Sequence, residues 1–159
     1  MTVTAEGAQP GEDPVPPGDL AVWRMLQRVQ ASVTRLLEID LMAAHDLPLA
    51  SYDVLARLSE AAGRRLRMND LAERVLLSRS GLTRLIDRLQ REGLVEREAC
   101  ASDARGLFAV LTDAGEARLA EATPTYLHGV RTRFLEMLTP QEVRQCASML
   151  GKLLPAEAC

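Results

Sequence analysis

From Met68 to Gly115 the chain reads MNDLAERVLLSRSGLTRLIDRLQREGLVEREACASDARGLFAVLTDAG, and this stretch leaves little choice of fold. Ser78 can open a helix, because its hydroxyl accepts from an otherwise unpaired amide of the first turn. Leu82, Leu85, Ile86 and Leu89 then recur at helical spacing and share one face. Ser80, Thr83, Arg84, Asp87, Arg88 and Arg91 fall on the opposite face, and Gly93 stands where a left-handed residue ends a helix. A shorter helix is predicted just before, from Asn69 as its cap to Leu76, with Leu71, Val75 and Leu76 forming its apolar side. Beyond Gly93, residues 94–98 and 107–111 have strand character; in the second, Leu107, Ala109 and Leu111 alternate with Phe108 and Val110. A polar turn, ACASDARG, lies between them.

Two short helices followed by a hairpin form a helix-turn-helix with a wing, a shape that presents its second helix to a DNA groove. The N-terminal part of such a helix meets base edges, which singles out Arg79, Ser80, Thr83 and Arg84. Arginine offers guanine two hydrogen bonds, whereas serine and threonine discriminate less. Arg88 and Arg91 lie further along and suit phosphates, which position without specifying. Asp87 and Arg91 are also spaced to pair with each other, and a merely solvated arginine face is the plainer alternative. In the turn, Arg105 can enter a minor groove or pair with Asp103, and the two roles are compatible.

The segment LAERVLLSRSGLTRLIDRLQREGLVER, the turn Asp103-Ala104-Arg105-Gly106 and the following Leu111-Thr112-Asp113-Ala114-Gly115 together resemble the winged-helix core of the MarR family of bacterial transcription regulators. The resemblance implies a mainly α fold of about six helices with a small β-wing, dimerising through its N- and C-terminal helices. It implies an Arg105 that approaches the minor groove. It also implies a homodimer on double-stranded DNA whose operator is pseudo-palindromic, since two-fold partners place their recognition helices roughly 34–36 Å apart. Many members bind a small phenolic or anionic effector between dimer helices and DNA lobes, shifting the population away from the DNA-fitting state. By that analogy Trp23, His45, Tyr52 and Asp53 are the effector-binding candidates; Asp53 is alternatively an anchor for Arg84 or Arg97.

The flanks fit this organisation. Residues 1–18, rich in proline, glycine and acids, are expected to form a disordered tail. Residues 19–48 hold an N-terminal dimerisation helix capped by Asp19, with Trp23, Leu26, Val29, Val33, Leu36 and Leu37 among its apolar positions. Residues 49–112 form the winged helix-turn-helix core, with a helix from Leu49 to about Ala62 and a short strand at 64–67. Residues 113–159 supply C-terminal dimerisation helices. The first of these runs to about Leu138, is capped by Thr112 and is bent by Pro124; the second opens with a Thr139-Pro140-Gln141-Glu142 capping box. Its stripe of Val143, Cys146, Met149, Leu150, Leu153 and Leu154 either meets a second copy or closes a monomeric bundle.

Net charge is −3, which at first argues against nucleic acid. Its distribution answers the objection: residues 1–63 carry −5, residues 64–105 carry +3 and residues 106–159 carry −1. Local charge governs phosphate contact. Hydrophobic residues make up 47% of the chain, enough for a core, and no apolar run is long enough to span a membrane. With no signal-peptide pattern and three scattered cysteines, a cytoplasmic location is expected. His45 and His128 lack ligand-spaced neighbours, so neither metal nor cofactor is expected. No phosphate-cradling glycine loop or nucleophile–base pair suggests an enzyme. The leading expectation is a dimeric DNA-binding repressor relieved by an effector. The alternatives are a protein-interaction module and a regulator that responds to thiol oxidation, for which Cys100 in the wing is the candidate.

Overall fold

The computed structural model describes residues 16–154 apart from 101 and 102, with the side chains of 100–106 left out. Of the expected 1–18 tail, residues 1–15 lie outside the described residues, as do the side chains of Cys100, Asp103 and Arg105, and Cys159; Pro17 and Gly18 are already helical, so Asp19 stands inside the first turn rather than capping it. The elements run α1 (Pro17–His45), α2 (Leu49–Glu60), β1 (Arg65–Arg67), α3 (Met68–Arg74), α4 (Arg79–Arg91), β2 (Val95–Cys100), β3 (Asp103–Leu111), α5 (Asp113–Arg133) and α6 (Pro140–Gly151). The sheet is antiparallel in the order β1-β3-β2, with Arg65 opposite Val110 and Val95 opposite Leu111. This is a mainly α winged helix-turn-helix.

Contacts divide the chain at Ser32. The N-terminal unit is the first part of α1, where Val22, Trp23, Met25, Leu26 and Val29 are all exposed. The second unit, from Val33 onward, contains the core. There Leu37 and Leu41 of α1, Leu55 and Leu58 of α2, Leu71 of α3, the four apolar residues of α4, Val95, Ala109 and Leu111 of the wing, and Leu119 and Ala122 of α5 are buried together. Leucine dominates this list, as expected of a chain with only 3% aromatic residues.

Local signals explain most boundaries. Ser78 Oγ accepts from the Gly81 amide at 3.1 Å to start α4. Thr139 and Glu142 form the expected reciprocal capping box, with Pro140 at the start of α6. Glu142 is held below the usual carboxylate range by the Thr139 backbone amide and hydroxyl. Thr112 caps α5 by accepting from the Gly115 amide at 3.0 Å, while its hydroxyl donates to the Gly93 carbonyl at 2.7 Å. The Thr112 amide donates to the Leu94 carbonyl at 3.2 Å, which joins the base of the wing to the start of α5. The two are so close that a Cβ built on Gly115 would lie 2.1 Å from the Leu94 oxygen.

Several expectations are corrected. α3 begins at Met68 directly from β1, so Arg67 occupies the cap position without a side-chain bond and Asn69 lies inside the helix. α2 stops at Glu60, and Gly63 (φ 66°) lies in a following short 3-10 turn. α5 ends at Arg133 rather than Leu138, because Phe134 leaves helical dihedrals; a 3-10 turn at Leu135–Met137 follows. Thr139 is extended, as a residue before proline prefers. α5 itself continues through Pro124.

Leu76 does not join the apolar side of α3: it is 92% exposed, with φ 54°. The hydrogen bonds explain it. Leu77 donates to the Ala72 carbonyl and Leu76 to the Glu73 carbonyl, the paired bonds that close a helix around a left-handed residue. α4 ends identically, through Leu94 to Leu89 and Gly93 to Gln90, but there the left-handed residue is Gly93 (φ 73°). The tight turn between α3 and α4 therefore puts leucine where glycine is strain-free.

Two stability changes are expected. Leu76→Gly should raise unfolding free energy by about 0.5–1 kcal/mol, since relief of left-handed strain exceeds the added unfolded-state entropy and no packing is lost. Gly115→Ala should lower it by about 1–3 kcal/mol, the cost of overpacking against fixed backbone. Urea unfolding of the two variants beside the parent measures both.

Candidate nucleic-acid interface

α4 is oriented by its own sequence. Leu82, Leu85, Ile86 and Leu89 are at most 9% exposed, so the remaining faces of the helix must look outward. Arg79, Ser80, Thr83 and Arg84 are accordingly exposed along its first turns. Ser80 Oγ lies 3.3 Å from Ser78 Oγ, and Thr83 Oγ1 donates to the Arg79 carbonyl at 2.8 Å, leaving the threonine oxygen free to accept. Arg79 and Arg84 make no ion pair with any described residue. Two guanidiniums are thus held out toward solvent without an internal counter-charge, an arrangement suited to an external anion or to base edges.

The other arginines differ among themselves. Arg91 Nε donates back to the Asp87 carbonyl at 3.2 Å rather than pairing with the Asp87 carboxylate, a correction of the spacing-based expectation. That carboxylate binds Arg97 of β2 instead, at 2.6 Å. Arg88, expected to meet phosphate, also has partners inside the protein. Its Nη2 donates at 2.6 Å to the hydroxyl of Ser51, which is only 1% exposed, and its Nε lies 3.9 Å from Glu92. Arg88 therefore ties α4 to α2 and satisfies a buried polar group. No composition or spacing signal marks Arg97 or Ser51; only the fold brings them to α4.

The effector candidates separate. His45 Nε2 lies 2.8 Å from Thr125 Oγ1, and the His45 carbonyl accepts from Arg118. Tyr52 is 6% exposed and stacks on Tyr126 with ring centroids 4.4 Å apart; its hydroxyl reaches Thr123. Burial pushes the Tyr126 phenol above its ordinary value. Asp53 is half-buried and bound to neither Arg84 nor Arg97; burial raises its carboxyl above the usual range, with Arg57 opposing. Trp23 belongs to the N-terminal unit and is 55% exposed. One open cleft among the described residues, about 530 Å³, is lined by Asp40, Ala43, Ala44, Pro124, Thr125, His128 and Arg133, beside His45 in sequence but without the four candidates in its lining. In it Arg133 grips Asp40 through both guanidinium nitrogens, one at 2.9 Å, which holds Asp40 below the usual carboxylate range. No cluster of metal-ligating side chains occurs among the described residues.

A buried helix face, an outward face that presents Arg79 and Arg84 to solvent, and an adjoining three-stranded sheet define a winged helix-turn-helix transcription regulator. The comparisons agree. Residues 45–106 match the model of the MarR family. AbsC, a MarR family transcriptional regulator from Streptomyces coelicolor, is 34% identical, with a TM-score of 0.80 over 89% of this chain and 95% of that one. A second regulator of that family and organism, solved in complex with DNA, is 31% identical, with a TM-score of 0.82 over 92% and 95%. The transcriptional repressor MdtR of Bacillus subtilis is 27% identical, over 86% of this chain and 83% of its own. The chain belongs to the MarR family of transcriptional regulators and is not an enzyme.

The two arginine classes predict opposite phenotypes. Arg84→Ala should leave stability within about 0.5 kcal/mol of the parent, as exposed substitutions do, and cost about 1–3 kcal/mol on a cognate DNA site, with much less loss on random DNA. Arg88→Ala should cost about 1–3 kcal/mol of stability by orphaning the Ser51 hydroxyl. Chemical unfolding and DNA titration of both variants separate the roles.

Proposed function

We propose that this protein is a homodimeric, sequence-specific DNA-binding repressor that acts in the cytoplasm on a pseudo-palindromic operator. The observation that carries the reading is the outward face of α4, where Arg79 and Arg84 stand beside Ser80 and Thr83 with no ion pair to any described residue. These four read bases in the major groove, Arg91 meets phosphate, and Arg105, paired with Asp103, serves the minor groove from the wing. A mutant of E. coli MarR, solved with operator DNA, has a TM-score of 0.75 to this chain at 28% identity, and MdtR is named a repressor; both support the reading.

Apolar surface supports the dimer. α6 contains no buried residue, and Met149, Leu150, Leu153 and Leu154 are all exposed. On α1, Val22, Trp23, Met25, Leu26 and Val29 are exposed as well. A soluble monomer rarely leaves such stretches open, and a two-fold partner covers both. Residues 19–48 and 113–159 are in this reading the dimerisation segments, and 49–112 the DNA-binding core. The cleft at Asp40, His128 and Arg133 supports a small phenolic or anionic effector whose binding favours a spacing of recognition helices that fits DNA poorly.

Fluorescence anisotropy of the protein on DNA from its own promoter and on scrambled DNA, at two salt concentrations, tests this. A preference for the promoter that survives higher salt is expected, with a dimer by light scattering. Equal, salt-labile binding to both DNAs would reduce the interface to a basic surface. Addition of a phenolic acid should release the promoter.

A further inference from the structure

Asp87 is out of place on a DNA-facing helix. It lies four residues after Thr83, three after Arg84 and four before Arg91, on the same outward side of α4, and its side chain is 49% exposed. A carboxylate there repels the phosphates that its neighbours attract. Arg97, midway along β2 and paired across the sheet with Ala109, meets it. The Arg97 guanidinium contacts Asp87 Oδ1 at 2.6 Å, donates to Gln90 Oε1 at 3.1 Å and donates to the Thr83 carbonyl at 3.3 Å. One side chain from the wing thus spans two turns of α4, and with 23% of its side chain exposed it is the more enclosed partner.

We propose that Arg97 is a positioning residue for DNA recognition: it draws Asp87 away from the phosphates and fixes its charge against the wing. Arg97 itself does not touch DNA. The inference rests on the reading of α4 as the DNA-contacting helix. The arginines of this segment then have three distinct duties. Arg79 and Arg84 face outward, Arg88 secures the helix to α2, and Arg97 neutralises the one acid on the recognition face. The net positive charge of the segment alone does not convey this division.

The test is operator anisotropy with Arg97→Met, Asp87→Asn, the double variant and Arg97→Lys, each checked for folding by its unfolding midpoint. Arg97→Met should weaken binding about tenfold, close to the scale of one charge contact in a largely aqueous dielectric. Asp87→Asn alone should change binding little, and in the double variant it should restore most of what Arg97→Met loses. The Arg97→Met defect should also shrink as salt rises, because a repulsion is screened whereas a misplaced helix is not. Arg97→Lys keeps the charge and should stay within about threefold of the parent. A double variant as weak as Arg97→Met, or a defect insensitive to salt, overturns the proposal. If Arg97→Met does not fold, a tenfold loss in a folded Arg97→Lys does the same. Failure of the parent itself to prefer its operator would instead refute the DNA reading.

Discussion

Burial of Leu82, Leu85, Ile86 and Leu89 determines everything that α4 can do. An α-helix has no freedom to choose its outward face once its inward face is fixed, and these four residues are among the least exposed in the chain. Each apolar side chain removed from water contributes about 1.5–3 kcal/mol, so no surface arginine can roll the helix against that stripe. Packing in the core thereby sets the aim of polar groups that never enter it.

Electrostatics then sorts the surface. A winged-helix segment with net charge +3 is unremarkable by itself; what matters is which cations are already spent. Arg88 and Arg97 have internal partners, and Arg65 pairs with Glu98 while lying 5.1 Å over the Phe108 ring. Arg64 pairs with Asp113 and Glu116 at the start of α5. Arg79 and Arg84 stand apart from these, and they occupy the first turns of the helix that reaches furthest into a groove in such folds.

The sequence was most legible where the signal is local. Ser78, Thr112 and the Thr139–Glu142 box each act within four residues, and each forms the bond its spacing implies. The stripe of α4 was equally plain because it repeats through the whole helix. Legibility failed where a distant partner or a backbone constraint decides. Asn69 lost its capping role because β1 delivers the chain into α3 one residue early. Leu76 looked like the end of an apolar face, but turn closure forces it left-handed and outward. Asp87 had a suitable arginine one turn away and took another from β2, and Arg88 turned to a serine 37 positions distant. Tyr52 stacks on Tyr126, a pairing no spacing announces.

The junction at Gly115 has a mechanical meaning. Leu94 at the foot of the wing and the first turn of α5 share a backbone bond through Thr112, a hydroxyl bond to Gly93, and an approach too close for even a methyl group. The foot of the wing and the first turn of α5 are therefore joined backbone to backbone, with no side chain between them, so the orientation of one element constrains that of the other.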